Sequence, residues 1–133
     1  MELTKVCTVA SITTLFSSSQ LTFLKGTTFR ENIVIKDSNG DPIDLTDNEV
    51  TLYLVKVDGT EIFNIGTDLP ATTYNSIITK SDAVNGEVEI LITDEETFNM
   101  DFSSGKWWIS LNLLNGDILY KENGSIIVKE PWE

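Results

Sequence analysis

Trp107-Trp108-Ile109-Ser110-Leu111-Asn112-Leu113-Leu114-Asn115-Gly116-Asp117-Ile118-Leu119-Tyr120 sets Trp107, Ile109, Leu111 and Leu113 against Trp108, Ser110 and Asn112, pauses at Asn115-Gly116, and resumes as an apolar run. Successive side chains of an extended chain point to opposite faces, so a period of two gives one face for a core and one for solvent or a partner. Asn-Gly tolerates positive φ at both central positions of a tight turn, and Leu114–Ile118 reads as a two-residue hairpin. The stretch therefore predicts strand, turn, strand. Adjacent residues face opposite ways, so at most one of the two tryptophan rings lies in a core.

The same period runs outward from this hairpin in both directions. Phe29, Ile33 and Ile35 share a face opposite Arg30 and Asn32; Val50, Leu52 and Leu54 alternate with Thr51, Tyr53 and Val55; Val88, Ile90 and Ile92 alternate with Glu89 and Leu91. Ile126-Ile127-Val128 is a shorter run of the same kind. Such half-buried strands belong to antiparallel sheets rather than to the uninterrupted apolar runs of a parallel one. Four of the eight glycines follow asparagine, at Asn39-Gly40, Asn85-Gly86, Asn115-Gly116 and Asn123-Gly124, and Asp58-Gly59 adds a fifth turn signal. A single segment, Thr93–Met100, suggests a helix: Thr93 and Glu96 have capping-box spacing, and Asp94, Glu95 and Glu96 suit a helix start. About eight strands with turns at short intervals predict an all-β antiparallel sandwich with at most one short helical turn. Its core is expected to contain Ile33, Ile35, Leu52, Leu54, Val88, Ile90, Ile109 and Leu111.

The chain has 133 residues, enough for one domain with a core that needs no disulfide or metal. Its one cysteine, Cys7, reads as a small buried apolar residue within Val6–Ala10. There is no histidine, which removes Ser-His-Asp, Cys-His and histidine-based metal sites. The net charge of −12 argues against a phosphate-backbone partner. No membrane-length apolar run and no secretory leader is seen, so the expectation is a protein made in a cytosol and kept soluble.

Charge is uneven along the chain. Residues 1–30 carry Lys5, Lys25 and Arg30 against Glu2, while the remainder carries six lysines against twenty acids. Residues 1–24 are polar and lack glycine, and read as an N-terminal extended arm or an added edge strand, with residues 25–133 as the sandwich. Val6, Thr8 and Ile12 alternate as a strand would and, with Phe16, are candidate interaction residues of that arm. Trp108 and Trp132 are the aromatic candidates, either as interface anchors or, for Trp108, as a sugar platform; packing within the domain is the plainer alternative for both.

Chemistry-bearing constellations are few. Asp37-Ser38-Asn39-Gly40-Asp41-Pro42-Ile43-Asp44 spaces its oxygens somewhat as a calcium loop does, yet Pro42 and Asn48 stand where an EF-hand needs glycine and a bidentate acid. A turn between strands explains the segment better. Asp94, Glu95 and Glu96 are adjacent in sequence, which suits a helix cap more than an acid–base pair facing across a cleft. The expectation is a non-enzyme with no catalytic residues, cofactor or metal.

Gly26-Thr27-Thr28-Phe29, then Ile33-x-Ile35-x-Asp37-x-x-Gly40-x-Pro42-Ile43-Asp44-Leu45-Thr46, then Val50-x-Leu52-x-Leu54, form the first part of a longer pattern. Gly86-x-Val88-x-Ile90-x-Ile92-Thr93 with Thr97, Gly105-Lys106-Trp107, Asn115-Gly116 and Gly124–Val128 complete it. Over residues 26–130 this order of segments resembles the immunoglobulin-like domains of bacteriophage tail and baseplate proteins, such as the amino-terminal domain of the baseplate upper protein family. The resemblance implies an immunoglobulin-like β-sandwich and a structural role in the virion, at the tail, baseplate, neck or head surface. The implied partners are other virion proteins, including copies of this chain, with no nucleic acid and no membrane. The chain would be synthesised in the bacterial host cytoplasm. A carbohydrate-binding or host-attachment domain is the alternative. Residues 1–24 stand outside the family pattern, and the family domain usually continues into a longer receptor-binding or fibre-bearing protein.

Overall fold

The computed structural model describes residues 20–37 and 39–132. Among them are strands β1 (Gln20–Leu24), β2 (Phe29–Val34), β3 (Glu49–Lys56), β4 (Glu61–Gly66), β5 (Ile77–Asp82), β6 (Glu87–Ile92), β7 (Ser104–Asn112) and β8 (Ile118–Lys129). One short helix, α1 (Asp94–Phe98), lies between β6 and β7, and a 3₁₀ turn, Ala83–Asn85, joins β5 to β6. The strands form two sheets, β1-β8-β7-β3-β4 and β2-β6-β5.

The alternation read from the sequence divides β6 between core and surface, while in β3 and β7 the polar Thr51 and Ser110 of the opposite face are buried as well. In β6, Val88, Ile90 and Ile92 are buried while Glu87, Glu89 and Leu91 are only half-buried. Across β3 and β7 the inward residues meet in register as Val50–Leu111, Leu52–Ile109 and Leu54–Trp107. All eight residues expected in the core are at most 1 % exposed. They join one cluster with Leu21, Phe23, Ile65, Trp107, Ile126 and other residues contributed by both sheets. Phe23 on β1 and Phe29 on β2 meet edge-on at 5.0 Å, linking the two sheets where the chain passes between them.

Three expectations need correction. First, the pairing is not wholly antiparallel, because β1 runs parallel to β8, from Gln20–Ser125 to Leu24–Lys129. Leu21 and Phe23 then fall on the inner face, 4 % and 1 % exposed. Residues 20–24 thus form an edge strand built into the core.

Second, Asn123-Gly124 is not a turn. It lies inside β8, with Asn123 opposite Trp108 and Gly124 opposite Trp107. Asn-Gly permits a turn without requiring one, and a glycine leaves room opposite a bulky core indole. The irregularity in this ladder falls instead between Trp108 and Ser110.

Third, the Leu114–Ile118 hairpin is not a two-residue turn, and the turn at Asp58-Gly59 has the same longer form. Among described non-glycine residues only Asn75 has positive φ, whereas Gly59 and Gly116 sit at +91° and +98°. Both loops share one bonding pattern. Lys56 N donates to Thr60 O and Gly59 N to Lys56 O; Leu113 N donates to Asp117 O and Gly116 N to Leu113 O. This is the longer loop that ends in a left-handed glycine bulge.

Side chains explain the choice. Asp58 Oδ1 accepts from Thr60 N and Asn115 Oδ1 from Asp117 N, each at 2.9 Å, which fixes the residue before glycine in an Asx turn. The Thr60 amide and hydroxyl also hold the Asp58 carboxyl below the ordinary aspartate value. That contact is fully present at neutral pH and is lost as pH falls through the lowered value.

α1 is anchored at both ends. The Thr93 hydroxyl accepts from Glu96 N at 3.4 Å, giving half of the capping box. The reciprocal bond is absent because Thr93 N donates to Ser76 Oγ at 3.1 Å, while the Glu96 carboxylate accepts from the Thr72 hydroxyl. Thr97 is fully buried; its Oγ1 accepts from Gly26 N at 3.1 Å and donates to Thr27 O at 2.8 Å. One hydroxyl thereby ties the helix to the turn between β1 and β2. Thr97→Val, which keeps the shape and removes the hydroxyl, should strand both backbone groups and cost about 1–3 kcal/mol. A urea midpoint equal to that of the parent protein would contradict this.

Candidate functional site

Two surfaces present groups suited to recognition. The first is the outer face of the five-stranded sheet. There Asn64, Tyr53, Trp108 and Asn123 form one row across β4, β3, β7 and β8. Tyr53 and Trp108 stack with centroids 5.3 Å apart and planes 16° apart. Both are half-buried, and each gives one ring face to the other. This is the arrangement of a stabilising cross-strand pair. Trp107, its neighbour in sequence, is fully buried, as the alternation required.

The second surface is one end of the sandwich, where α1 packs on the β1–β2 turn. Phe98, at the end of α1, is 67 % exposed and lies beside Gly26, where an added Cβ would be 4.0 Å from its ring. Lys25, next along that turn, pairs with Glu130 just beyond β8 at 3.4 Å. Two residues further on, Trp132 is 80 % exposed. Leu24 adds a partly exposed aliphatic chain at the same end. The β7–β8 hairpin carries a smaller apolar pair of its own, Leu114 and Ile118.

Beside α1, the loop of residues 99–103 is surrounded by three concavities of about 330, 370 and 600 Å³, all sharing Asp101 and Phe102. The most enclosed lies between β4, α1 and this loop. Phe63, Met100 and Phe102 line it together with Tyr74, Glu61 and Glu96. Lys56, also on its wall, pairs with Asp101 at 3.2 Å.

The sequence candidates fare differently. Val6, Thr8, Ile12 and Phe16 lie outside the described residues, as do Cys7 and Ser38. Trp132 is exposed, whereas Trp108 is stacked on Tyr53. The sequence reading missed Phe98. Its signal was an aromatic ring next to Thr97, which the tertiary structure consumes, so that the following side chain projects outward. It also missed the cleft, whose walls come from segments some forty residues apart.

The aspartates with calcium-like spacing do other work. Asp37 Oδ1 accepts from the backbone amides of Asn39 and Asp41 at 2.8 and 3.0 Å, closing an Asx turn. Asp44 Oδ1 accepts from the Thr46 hydroxyl and amide, in that order of effect, which lowers its pKa. Among the described residues no group of three or more acidic or cysteine side chains is placed to hold a metal ion, and no helix is long and apolar enough to cross a membrane.

No protein-family model matches the sequence, and a search of curated proteins finds no match.

Proposed function

We propose that this chain is a non-enzymatic structural module of a bacteriophage particle, an immunoglobulin-like sandwich that docks on neighbouring virion proteins through the end of the body carrying Phe98 and Trp132. The observation that carries the reading is the exposure of these two aromatic rings at the end that Thr97 and the Lys25–Glu130 pair hold together. Large aromatic side chains are costly to leave in water and are the commonest anchors of protein interfaces. The phage context is supported by the resemblance across residues 26–130. An arm before β1 reaching other virion proteins, or further copies of this chain, belongs to the same reading. The carbohydrate alternative draws less support, since Trp108 is half-buried and already stacked on Tyr53.

The test is Phe98→Ser combined with Trp132→Ser. Exposed substitutions of this kind usually change stability within about ±0.5 kcal/mol. The thermal midpoint of the isolated protein should therefore hold. Particles assembled with the variant should contain several-fold less of it, measured by quantitative mass spectrometry of purified virions. Incorporation at the parent ratio would remove this end of the sandwich from the docking role.

A further inference from the structure

We propose that the cleft between β4, α1 and the loop of residues 99–103 receives an arginine side chain from a basic segment of a partner protein. This goes beyond the structural role argued above and holds whether or not the chain belongs to a particle.

The cleft is lined by aromatic and acidic side chains together, and its exposed lining is more polar than apolar. Phe63, Met100 and Phe102 supply aromatic and thioether surface, and Glu61, Glu96 and Asp101 supply three carboxylates against the single ammonium of Lys56. Lys56 is committed to Asp101 at 3.2 Å, so Glu61 and Glu96 are the carboxylates left facing a guest. Glu96 accepts one hydrogen bond from the Thr72 hydroxyl, and a carboxylate has further lone pairs to offer. The protein as a whole carries a charge of −12, so long-range attraction and the local cleft agree in sign.

A guest must therefore be cationic at its tip and tolerant of apolar surface along its length. Arginine meets both demands better than lysine. Its guanidinium stacks on aromatic faces, offers five donors to carboxylates and is more weakly hydrated than an ammonium. The volume of about 330 Å³ is at the small end of the roughly 300–1,000 Å³ typical of ligand pockets. That suits one long side chain rather than a folded ligand.

The experiment is an amide-resolved NMR titration of the isotopically labelled full chain with the pentapeptide acetyl-Ala-Ala-Arg-Ala-Ala-amide. Its arginine is replaced by lysine or glutamate in parallel runs, and spermidine serves as a free polycation. The arginine peptide should shift the amides of Ile62, Phe63, Tyr74 and Asn99 through Phe102, the lysine peptide several-fold more weakly, and the glutamate peptide not at all. Glu61→Gln with Glu96→Gln should weaken binding roughly three- to tenfold while leaving the rest of the spectrum in place. Glutamine at position 96 still accepts the Thr72 hydroxyl. Phe98→Ser with Trp132→Ser should leave the peptide affinity unchanged, which separates this cleft from the docking end. Shifts elsewhere on the surface, no shifts, equal shifts from the glutamate peptide, or spermidine acting as strongly as the arginine peptide would each overturn the proposal.

Discussion

Trp107→Ala is expected to cost about 3–5 kcal/mol of folding stability, because it empties the largest fully buried side chain in the core. Trp108→Ala, one residue along the same strand, should cost about 0.5–1.5 kcal/mol for the lost stack with Tyr53, plus a small term for its half-buried surface. The contrast follows from one fact of strand geometry: the two rings lie on opposite faces of β7. Trp107 meets Leu54 in the neighbouring strand and has Gly124 opposite on the other side, so its partner on β8 has no side chain to fill the space it leaves. A domain of this size is stable by only some 5–15 kcal/mol, so the first variant should be marginal and the second robust. Parallel urea titrations would decide the matter. Equal midpoint shifts would mean that the assignment of faces in β7 is wrong.

Gly105→Ala is expected to be comparably damaging for a different reason. A Cβ at this position would lie 2.3 Å from the Val55 carbonyl oxygen, far inside contact distance and against backbone rather than a movable side chain. Gly105 pairs with Lys56 on β3 and with Ile126 on β8, at the end of the central strand of the larger sheet. Accommodating a methyl group there means prising β3 from β7, at a cost of about 3 kcal/mol, the upper part of the range for overpacking. Gly105 does not need positive φ, so the effect is steric alone. Gly40 and Gly116 separate the two causes. Both have positive φ, and an added Cβ at either would meet nothing within 4 Å, so alanine there should cost only the backbone strain, about 1 kcal/mol. Thermal or urea midpoints of Gly105→Ala and Gly116→Ala, measured side by side, should differ clearly. If alanine at 105 proves as mild as at 116, β3 and β7 do not approach as closely as the structure shows.

Much of this architecture was legible in the residues themselves. The alternation in Val50–Leu54, Val88–Ile92 and Trp107–Leu111 specified strands and which side chains of each would be buried, because strand geometry makes the two faces a property of odd and even positions. The turn at Asp58-Gly59 and the hairpin at Asn115-Gly116 were legible for the same local reason, as was the capped start of α1 at Thr93. What a local pattern does not contain is the choice of neighbour. Every strand offers the same backbone donors and acceptors, so nothing in Gln20–Leu24 announces a parallel pairing with Ser125–Lys129. Nor does the run from Ile118 to Val128 declare that Asn123-Gly124 continues as strand instead of turning. Those outcomes depend on which arrangement buries Leu21, Phe23, Ile126 and Val128 together, a question of packing between residues a hundred positions apart. The cleft and the Phe98–Trp132 end are decided at that same level. Sequence determined the buried faces of the alternating strands and the turns at Asp58-Gly59 and Asn115-Gly116; only the tertiary structure brought α1 onto the β1–β2 turn, because the hydrogen-bond partners of Thr97 are at Gly26 and Thr27, some seventy positions away.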